Sequence, residues 1–202
     1  MPLDVKDRPF IVGIGGTVKS ASSTEQALTI ALSAAREAGA EVEMFGGEML
    51  ASLPHYGVAP SEESVGAVRL VSALRRADGV IIASPGYHGS ISGLVKNALD
   101  YTEDMVRDDR VYLDGLPVGL IATAYGWQAT GSTLATLRAI VHALRGWPTP
   151  LGAGINCAGG VFKDGECTVD AFTQQLLTIG RQVVEAAQRN MAHVGNQVAA
   201  GG

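Results

Sequence analysis

Two stretches of this chain concentrate residue types that can hold an anion and a flat ring. The first, Gly15-Gly16-Thr17-Val18-Lys19-Ser20-Ala21-Ser22-Ser23-Thr24, sets five hydroxyls and one lysine between a short apolar run and an Ala- and Leu-rich segment. Hydroxyls, the N–H groups of a Gly turn and a helix N-terminus together form an anion cradle, and the helix dipole favours a phosphate there. A helix cap needs one hydroxyl, and here five precede the helix. The second stretch is Ser84-Pro85-Gly86-Tyr87-His88-Gly89-Ser90, running on into Ile91-Ser92-Gly93-Leu94-Val95-Lys96-Asn97-Ala98-Leu99-Asp100-Tyr101. Its proline and two glycines shape a tight loop whose backbone N–H groups can point into a crevice, and Tyr87 offers an aromatic face. Those are the parts needed to hold a planar heterocycle.

Spacing narrows the chemistry. From Gly13 the run GIGGTVKS nearly spells the triphosphate-binding loop GxxxxGK[ST], but Val18 stands where the second glycine belongs, and a β-branched residue hinders that turn. The dinucleotide pattern GxGxxG fails at the same position. A cradle for a single terminal phosphate survives, such as a mononucleotide like FMN presents. The nucleophile elbow GxSxG is not met, because Ile91 occupies the centre of Gly89-Ser90-Ile91-Ser92-Gly93. His88 has no fixed carboxylate partner to make it a general base. Cys157 and Cys167 are ten residues apart with no histidine between them, which matches neither a zinc site nor a CxxC pair.

The elements that must position these loops follow from hydrophobic patterning. Phe10–Gly13 reads as a buried strand, Ser22–Ala38 as a helix stopped by Gly39, and Glu41–Phe45 as a second strand. Gly46–Pro60 reads as a loop carrying Leu53, Pro54, His55 and Tyr56, a plain connection in preference to one whose His55 and Tyr56 shape an acceptor site, and a helix follows over Ser64–Arg76. Gly79–Ala83 is a continuous apolar run, as a strand buried on both faces requires. A helix then starts near Ile91 and runs past Tyr101; Leu116–Ala124 is a strand, Ser132–Leu144 a helix and Thr149–Ile155 a weaker strand led by two prolines. Val169–Ala192 closes the chain as an amphipathic helix, and residues 194–202 read as a flexible tail after a single domain over residues 1–193. The alternation predicts a three-layer α/β/α domain on a five-stranded parallel sheet of order 2-1-3-4-5. In that order the strand sequence reverses between the first and third strands, so the loops after Ile14 and after Ser84 line one crevice.

Composition bounds the partners. The chain has 202 residues, 47% of them hydrophobic and 17% charged, with a net charge of -5. That is enough to bury a core, and it leaves no basic excess for a nucleic-acid backbone. The polar N-terminus lacks an apolar signal-peptide core, and no apolar run approaches the roughly 20 residues of a membrane span. A soluble cytoplasmic protein, with neither nucleic acid nor membrane as partner, is the expectation.

The string SPGYHGSISGLVKNALDY resembles the signature of the NADPH-dependent FMN reductase family, flavodoxin-like enzymes whose typical form is [ST]PxYxGSxxGxLKNAxDW. Tyr101 replaces the usual tryptophan, and Val95 stands before Lys96. The family's first loop, GSxRxxSxN, is similar to Gly16–Thr24, with Thr17 for Ser, Lys19 for Arg and Thr24 for Asn. These changes keep hydroxyl and charge but lose arginine's bidentate fork. The resemblance spans Phe10 to Glu185.

It implies that Thr17, Lys19, Ser22 and Thr24 contact the FMN phosphate, with Gly16 and Ser23 in the same loop. It implies further that Pro85, Gly86, Tyr87, His88 and Gly89 border the isoalloxazine ring, with Ser84 and Ser90 at the ends of that loop. A third loop, from Tyr125 and Gly126 through Trp127, would close over the flavin from the other side; surface aromatics or a subunit contact is an equal reading. The implied activity is hydride transfer from NADPH or NADH to FMN, a step that asks for no side-chain acid or base and explains the absence of a triad. Reduced flavin would pass to a monooxygenase or another acceptor. The alternatives are a quinone- or azo-type reductase with retained FMN, and a non-enzymatic electron carrier. Pairing of Lys96 with Asp100 and assembly into a homodimer or homotetramer through that helix complete the expectations.

Overall fold

The computed structural model describes residues 7–200, with side chains to residue 193. β1 (Phe10–Gly15), β2 (Glu41–Phe45) and β3 (Gly79–Tyr87) join β5 (Pro117–Ala124) and β6 (Trp147–Asn156) in a parallel sheet of order β2-β1-β3-β5-β6. Counting only these long strands, this is the expected order 2-1-3-4-5, with the reversal beside β1. The two-residue β4 (Ser90–Ile91) hangs antiparallel from the end of β3. The fold is the flavodoxin-like three-layer α/β arrangement.

Residue alternation along the buried strands divides the core in two. Val12, Ile14, Val80, Ile82, Val118 and Leu120 face α3 (Val65–Arg76), α4 (Gly93–Asp100) and α5 (Trp127–Ala143), packing with Leu70, Leu74, Val95 and Leu137. Ile11, Ile81, Ala83 and Ile121 point the other way, onto α1 (Ser23–Glu37) and α6 (Asp170–Ala200), where Leu28, Leu176, Ile179 and Val183 close the second layer. Prolines at 148 and 150 fit because β6 is an edge strand, where a missing N–H leaves no ladder gap.

The structure departs from the sequence reading at element ends. A short helix, α2 (Gly47–Ala51), interrupts the expected plain loop 46–60, and a 3-10 turn at Ser61–Glu63 follows it. β3 runs to Tyr87 rather than Ala83, and α5 starts at Trp127 rather than Ser132. Gly126, at φ 138° and ψ 147°, takes the chain directly from β5 into α5, so the hydroxyl-rich string Thr130–Ser132 is helical. A hairpin of β7 (Phe162–Lys163) and β8 (Glu166–Cys167) precedes α6. α6 itself continues past Ala192 to Ala200; the rest of the expected tail, residues 201 and 202, lies outside the described residues.

Two contacts fix α1 over the sheet. At Gly180 of α6, a Cβ would fall 2.2 Å from the Ala31 carbonyl of α1, so the helices meet backbone to backbone. At the other end of α1, the buried hydroxyls of Thr24 and Thr123 lie 2.6 Å apart, tying the first turn of α1 to β5. Gly180→Ala must push the helices apart, and overpacking of this kind costs about 1–3 kcal/mol, read as a lower urea midpoint at unchanged slope. Thr24→Val strands the Thr123 hydroxyl and costs about 1–3 kcal/mol, whereas Thr24→Val with Thr123→Val recovers most of that loss. Additive losses in the double variant would refute the tie.

Candidate functional site

The reversal of strand order places the loops after β1 and β3 side by side, since Gly15 is in register with Ala83 at the carboxyl ends of those strands. Gly16 leaves β1 at φ 133°, a conformation that favours glycine, and its backbone lies against Gly47 of α2. The chain then turns on itself: the Lys19 N–H donates to Thr17 Oγ1 at 3.2 Å, and Ala21 adopts φ 52°. Ser22 is the N-cap of α1, its hydroxyl accepting from the Glu25 N–H at 3.3 Å. The Ser23 and Thr24 N–H groups, in the first turn, have no backbone partner among the described residues, as helix geometry requires. Lys19 is exposed beside them.

The hydroxyls of this loop divide into two kinds. Those of Thr17 and Ser22 hold the turn and stand at the surface side. Thr24 faces inward to Thr123, so its side chain serves the interior rather than the crevice, although the resemblance counts it with the phosphate ligands. The buried Cys157 thiol donates to the Ile155 carbonyl at 3.6 Å; burial pushes it above its usual range, and the Ser23 side chain works against that shift. The Gln26 side chain braces the loop from α1, donating to the Ala21 carbonyl at 2.7 Å while accepting from the Gly165 N–H of the β7–β8 hairpin at 3.2 Å. Glu25 is held above the ordinary carboxylate range, first by burial and then by the charge of Glu48.

The second loop is a β-hairpin. Gly86 pairs with Ile91 and Tyr87 with Ser90, so His88 and Gly89 form a two-residue turn, at φ 50° and 87°. Both positive φ angles suit the I′-type turn that matches strand twist, and histidine is among the residues that tolerate them. His88 is thus a turn residue on an exposed tip. Ser84 is wholly buried: its hydroxyl donates to the Pro85 carbonyl at 2.9 Å and accepts from the Ser92 N–H at 3.0 Å, fixing the start of α4. Gly86 is pressed against α5, where a Cβ would fall 2.5 Å from Thr133 Oγ1. Tyr87 remains 52% exposed and Tyr125, at the end of β5, 84% exposed. Gly126 beside it has open space where a Cβ would be. Trp127 sets its ring edge-on to Phe172 of α6 at 6.1 Å.

Lys96 and Asp100 pair across one turn of α4, as their spacing predicts. Sequence reasoning passed over α2 and the segment behind it. Tyr56 N–H donates to Asn97 Oδ1, and Asn97 Nδ2 and the Tyr101 hydroxyl both donate to the Pro54 carbonyl. The available signal was the length of the 46–60 connection, since long connections in compact α/β units tend to be functional. A depression of about 220 Å³ lined by Gly115, Pro117, Trp147, Ala186 and Asn190 lies at the amino ends of β5 and β6, away from the crevice. Among the described residues no group of His, Cys, Asp or Glu is placed to hold a metal, and no helix is long and apolar enough to cross a membrane.

Known proteins share this arrangement. The fold superposes on the flavoenzyme NAD(P)H:(acceptor) oxidoreductase FerB from Paracoccus denitrificans with a TM-score of 0.72, at 18% identity over 90% of this chain and 98% of that one. An oxidoreductase from Corynebacterium diphtheriae gives 0.68, at 20% identity over 90% of this chain and 98% of that one. At these identities the likeness is one of fold. In sequence, the chain is 41% identical over 81 residues to the FMN-dependent NADPH-azoreductase of Staphylococcus saprophyticus, covering 40% of this chain and 39% of that protein. The match thus spans about two-fifths of that relative. The profile of the NADPH-dependent FMN reductase family matches residues 9–159, most of the chain, including both crevice loops and the strands that carry them. The chain therefore belongs to the NADPH-dependent FMN reductase family.

Proposed function

We propose that this protein is an NAD(P)H-dependent flavin oxidoreductase that binds FMN in the crevice between β1 and β3. The observation that carries the reading is the pairing of two unlike half-sites there: unpartnered helix amides beside an exposed lysine, and exposed aromatic faces beside a tight hairpin. The residues present fit the group. The Ser23 and Thr24 amides, the Thr17 and Ser22 hydroxyls and Lys19 suit a terminal phosphate. Gly16 lets the loop lie against the backbone of α2. Pro85, Gly86, Tyr87, His88 and Gly89, carried between Ser84 and Ser90, suit one side of a planar ring; Tyr125 and Gly126 suit the other. The Thr24 side chain is outside this set.

When bound, FMN supplies a ring that accepts a hydride from the nicotinamide. The chain's part is to place that ring and to exclude competing geometries. Lys19 and the amides of α1 hold the phosphate charge. Backbone N–H groups of the hairpin offer hydrogen bonds to the ring edge, where preorganised donors are most effective. Tyr87 and Tyr125 are exposed and offer aromatic faces that suit stacking on a planar ring. No side chain is needed as acid or base, and His88 sits on the exposed hairpin turn.

Reduced flavin passed to a monooxygenase is the first proposed fate of the electrons. A second reading, a reductase that keeps FMN and passes electrons to an azo or quinone acceptor, is favoured by the staphylococcal azoreductase match. Lysine in place of the family's arginine loosens the phosphate grip and supports exchange of FMN. We further propose one flavin-binding domain over residues 1–193, a cytoplasmic setting where NADPH is supplied, and assembly into a homodimer or homotetramer.

Anaerobic titration with FMN, followed by one equivalent of NADPH or of NADH, tests the activity. Prompt bleaching of the visible flavin band is expected, with the faster nucleotide identifying the donor. FMN binding without bleaching by either nucleotide identifies an electron carrier instead. Lys19→Ala is expected to raise the Kd for FMN about tenfold, the value of one modest charged contact. An unchanged Kd removes Lys19 from the phosphate site.

A further inference from the structure

The second signature does more than shape the hairpin. Its downstream half, on α4 and the turn Tyr101–Met105, grips the loop after β2. The Pro54 carbonyl accepts two hydrogen bonds, from Asn97 Nδ2 and from the Tyr101 hydroxyl, each at 2.9 Å. Asn97 uses its other face as well, accepting from the Tyr56 N–H at 2.9 Å. The Tyr56 ring meets the Tyr101 ring edge-on at 5.3 Å, and its hydroxyl donates to Asp104 Oδ1 at 3.2 Å. Both phenols are held above their usual range, chiefly by burial and then by Asp104, so both remain donors across neutral pH.

What this clamp holds lies three residues upstream. α2 has five residues, too few to persist as a helix on its own, so its position depends on what grips its ends. One end is β2. The other is Leu53-Pro54-His55-Tyr56, with Leu53 buried and the next residues clamped. At its first residue α2 touches the phosphate loop with no side chain between. A Cβ on Gly47 would fall 1.8 Å from the Thr17 carbonyl oxygen and 2.7 Å from the Thr17 nitrogen, and one on Gly16 would fall 2.6 Å from the Gly47 nitrogen. Such a backbone-to-backbone contact cannot absorb a shift by changing a rotamer. Displacement of α2 therefore moves Thr17.

α4 thus reaches both halves of the crevice. Its N-cap end is tied to the ring-side hairpin through Ser84 and Ser92, and its body is tied to the phosphate loop through Pro54, α2 and Gly47. We propose that Asn97 and Tyr101 are positioning residues for the phosphate half of the site, setting the Thr17 backbone through α2 without touching the ligand. The inference rests on the reading of loop 16–24 as the cradle of the FMN phosphate, and it assigns these two side chains a role separate from the ring.

Comparison of FMN with riboflavin, which lacks the phosphate, isolates that role. In Asn97→Ala, the Kd for FMN measured by flavin fluorescence should rise about five- to tenfold, as expected for losing one or two modest hydrogen bonds, while the Kd for riboflavin stays within about twofold of wild type. Tyr101→Phe keeps the ring contact and one bond to Pro54, so it should show the same selectivity with a smaller change and serves should Asn97→Ala fold poorly. Equal loss for both flavins, or no loss for FMN, overturns the inference. Amide exchange of the flavin-free protein reads the linkage independently: in Asn97→Ala, faster exchange should extend from residues 54–56 through 47–51 to 16–18. Faster exchange confined to residues 54–56 overturns it. Wild-type protein that binds neither flavin overturns the cofactor reading, and the exchange pattern still decides whether the clamp reaches Thr17.

Discussion

A parallel sheet covered by helices on both faces has only the ends of its strands left to meet solvent, and this constraint organises the molecule. β1 is buried along its full length, so its residues are committed to packing before any chemistry is possible. Function is pushed into the loops at the carboxyl ends, where strand order reverses and two neighbouring loops diverge to opposite faces. The same burial anchors the loops where they start: Gly16, Pro85 and Ala124 are each the last buried position before a more exposed segment.

Within those loops, hydroxyl groups carry more structure than composition suggests. Five of them precede or open α1, and the simplest sequence argument assigns all of them to an anion. In three dimensions one caps the helix, one holds a turn, one meets a buried thiol and one is drawn into the core to meet Thr123. Thr24 in place of the family's asparagine is thus no simple loss of a ligand. On the proposed reading, the phosphate would rest more on the amides of the first helical turn and on Lys19. Amides need no particular side chain, so the sequence shows that a helix N-terminus is present but not how the anion would be shared between amides and hydroxyls.

The legibility of the chain follows the same physics. Strands buried on both faces announce themselves as apolar runs, and Gly79–Ala83 and Leu116–Ala124 were readable for that reason. Strand order and the crevice were readable because right-handed parallel connections leave few alternatives. Element ends were not, since Gly126 and the His88-Gly89 turn depend on backbone angles that composition does not fix. α2 was invisible because a five-residue helix has no period to detect. Asn97 was legible as part of the signature but not as a clamp; its two partners are main-chain groups over forty residues away in sequence, and no pattern of side chains records a main-chain partner.

The proposed division of the site into a phosphate half and a ring half has a mechanical consequence. Each half is built on its own loop, and loops at the ends of different strands have no reason to keep register as the protein fluctuates. α4 supplies one, because its cap holds the hairpin through buried Ser84 while Asn97 and Tyr101 hold the segment that abuts Thr17. Lys19 lacks arginine's fork and fixes charge without fixing geometry. Geometry must then come from the backbone, and the backbone of Thr17 is set by its contact with Gly47. A site that offers a phosphate a lysine in place of a bidentate arginine gains most from a scaffold that holds the amides still, and on the proposed reading the clamp on Pro54 supplies that scaffold.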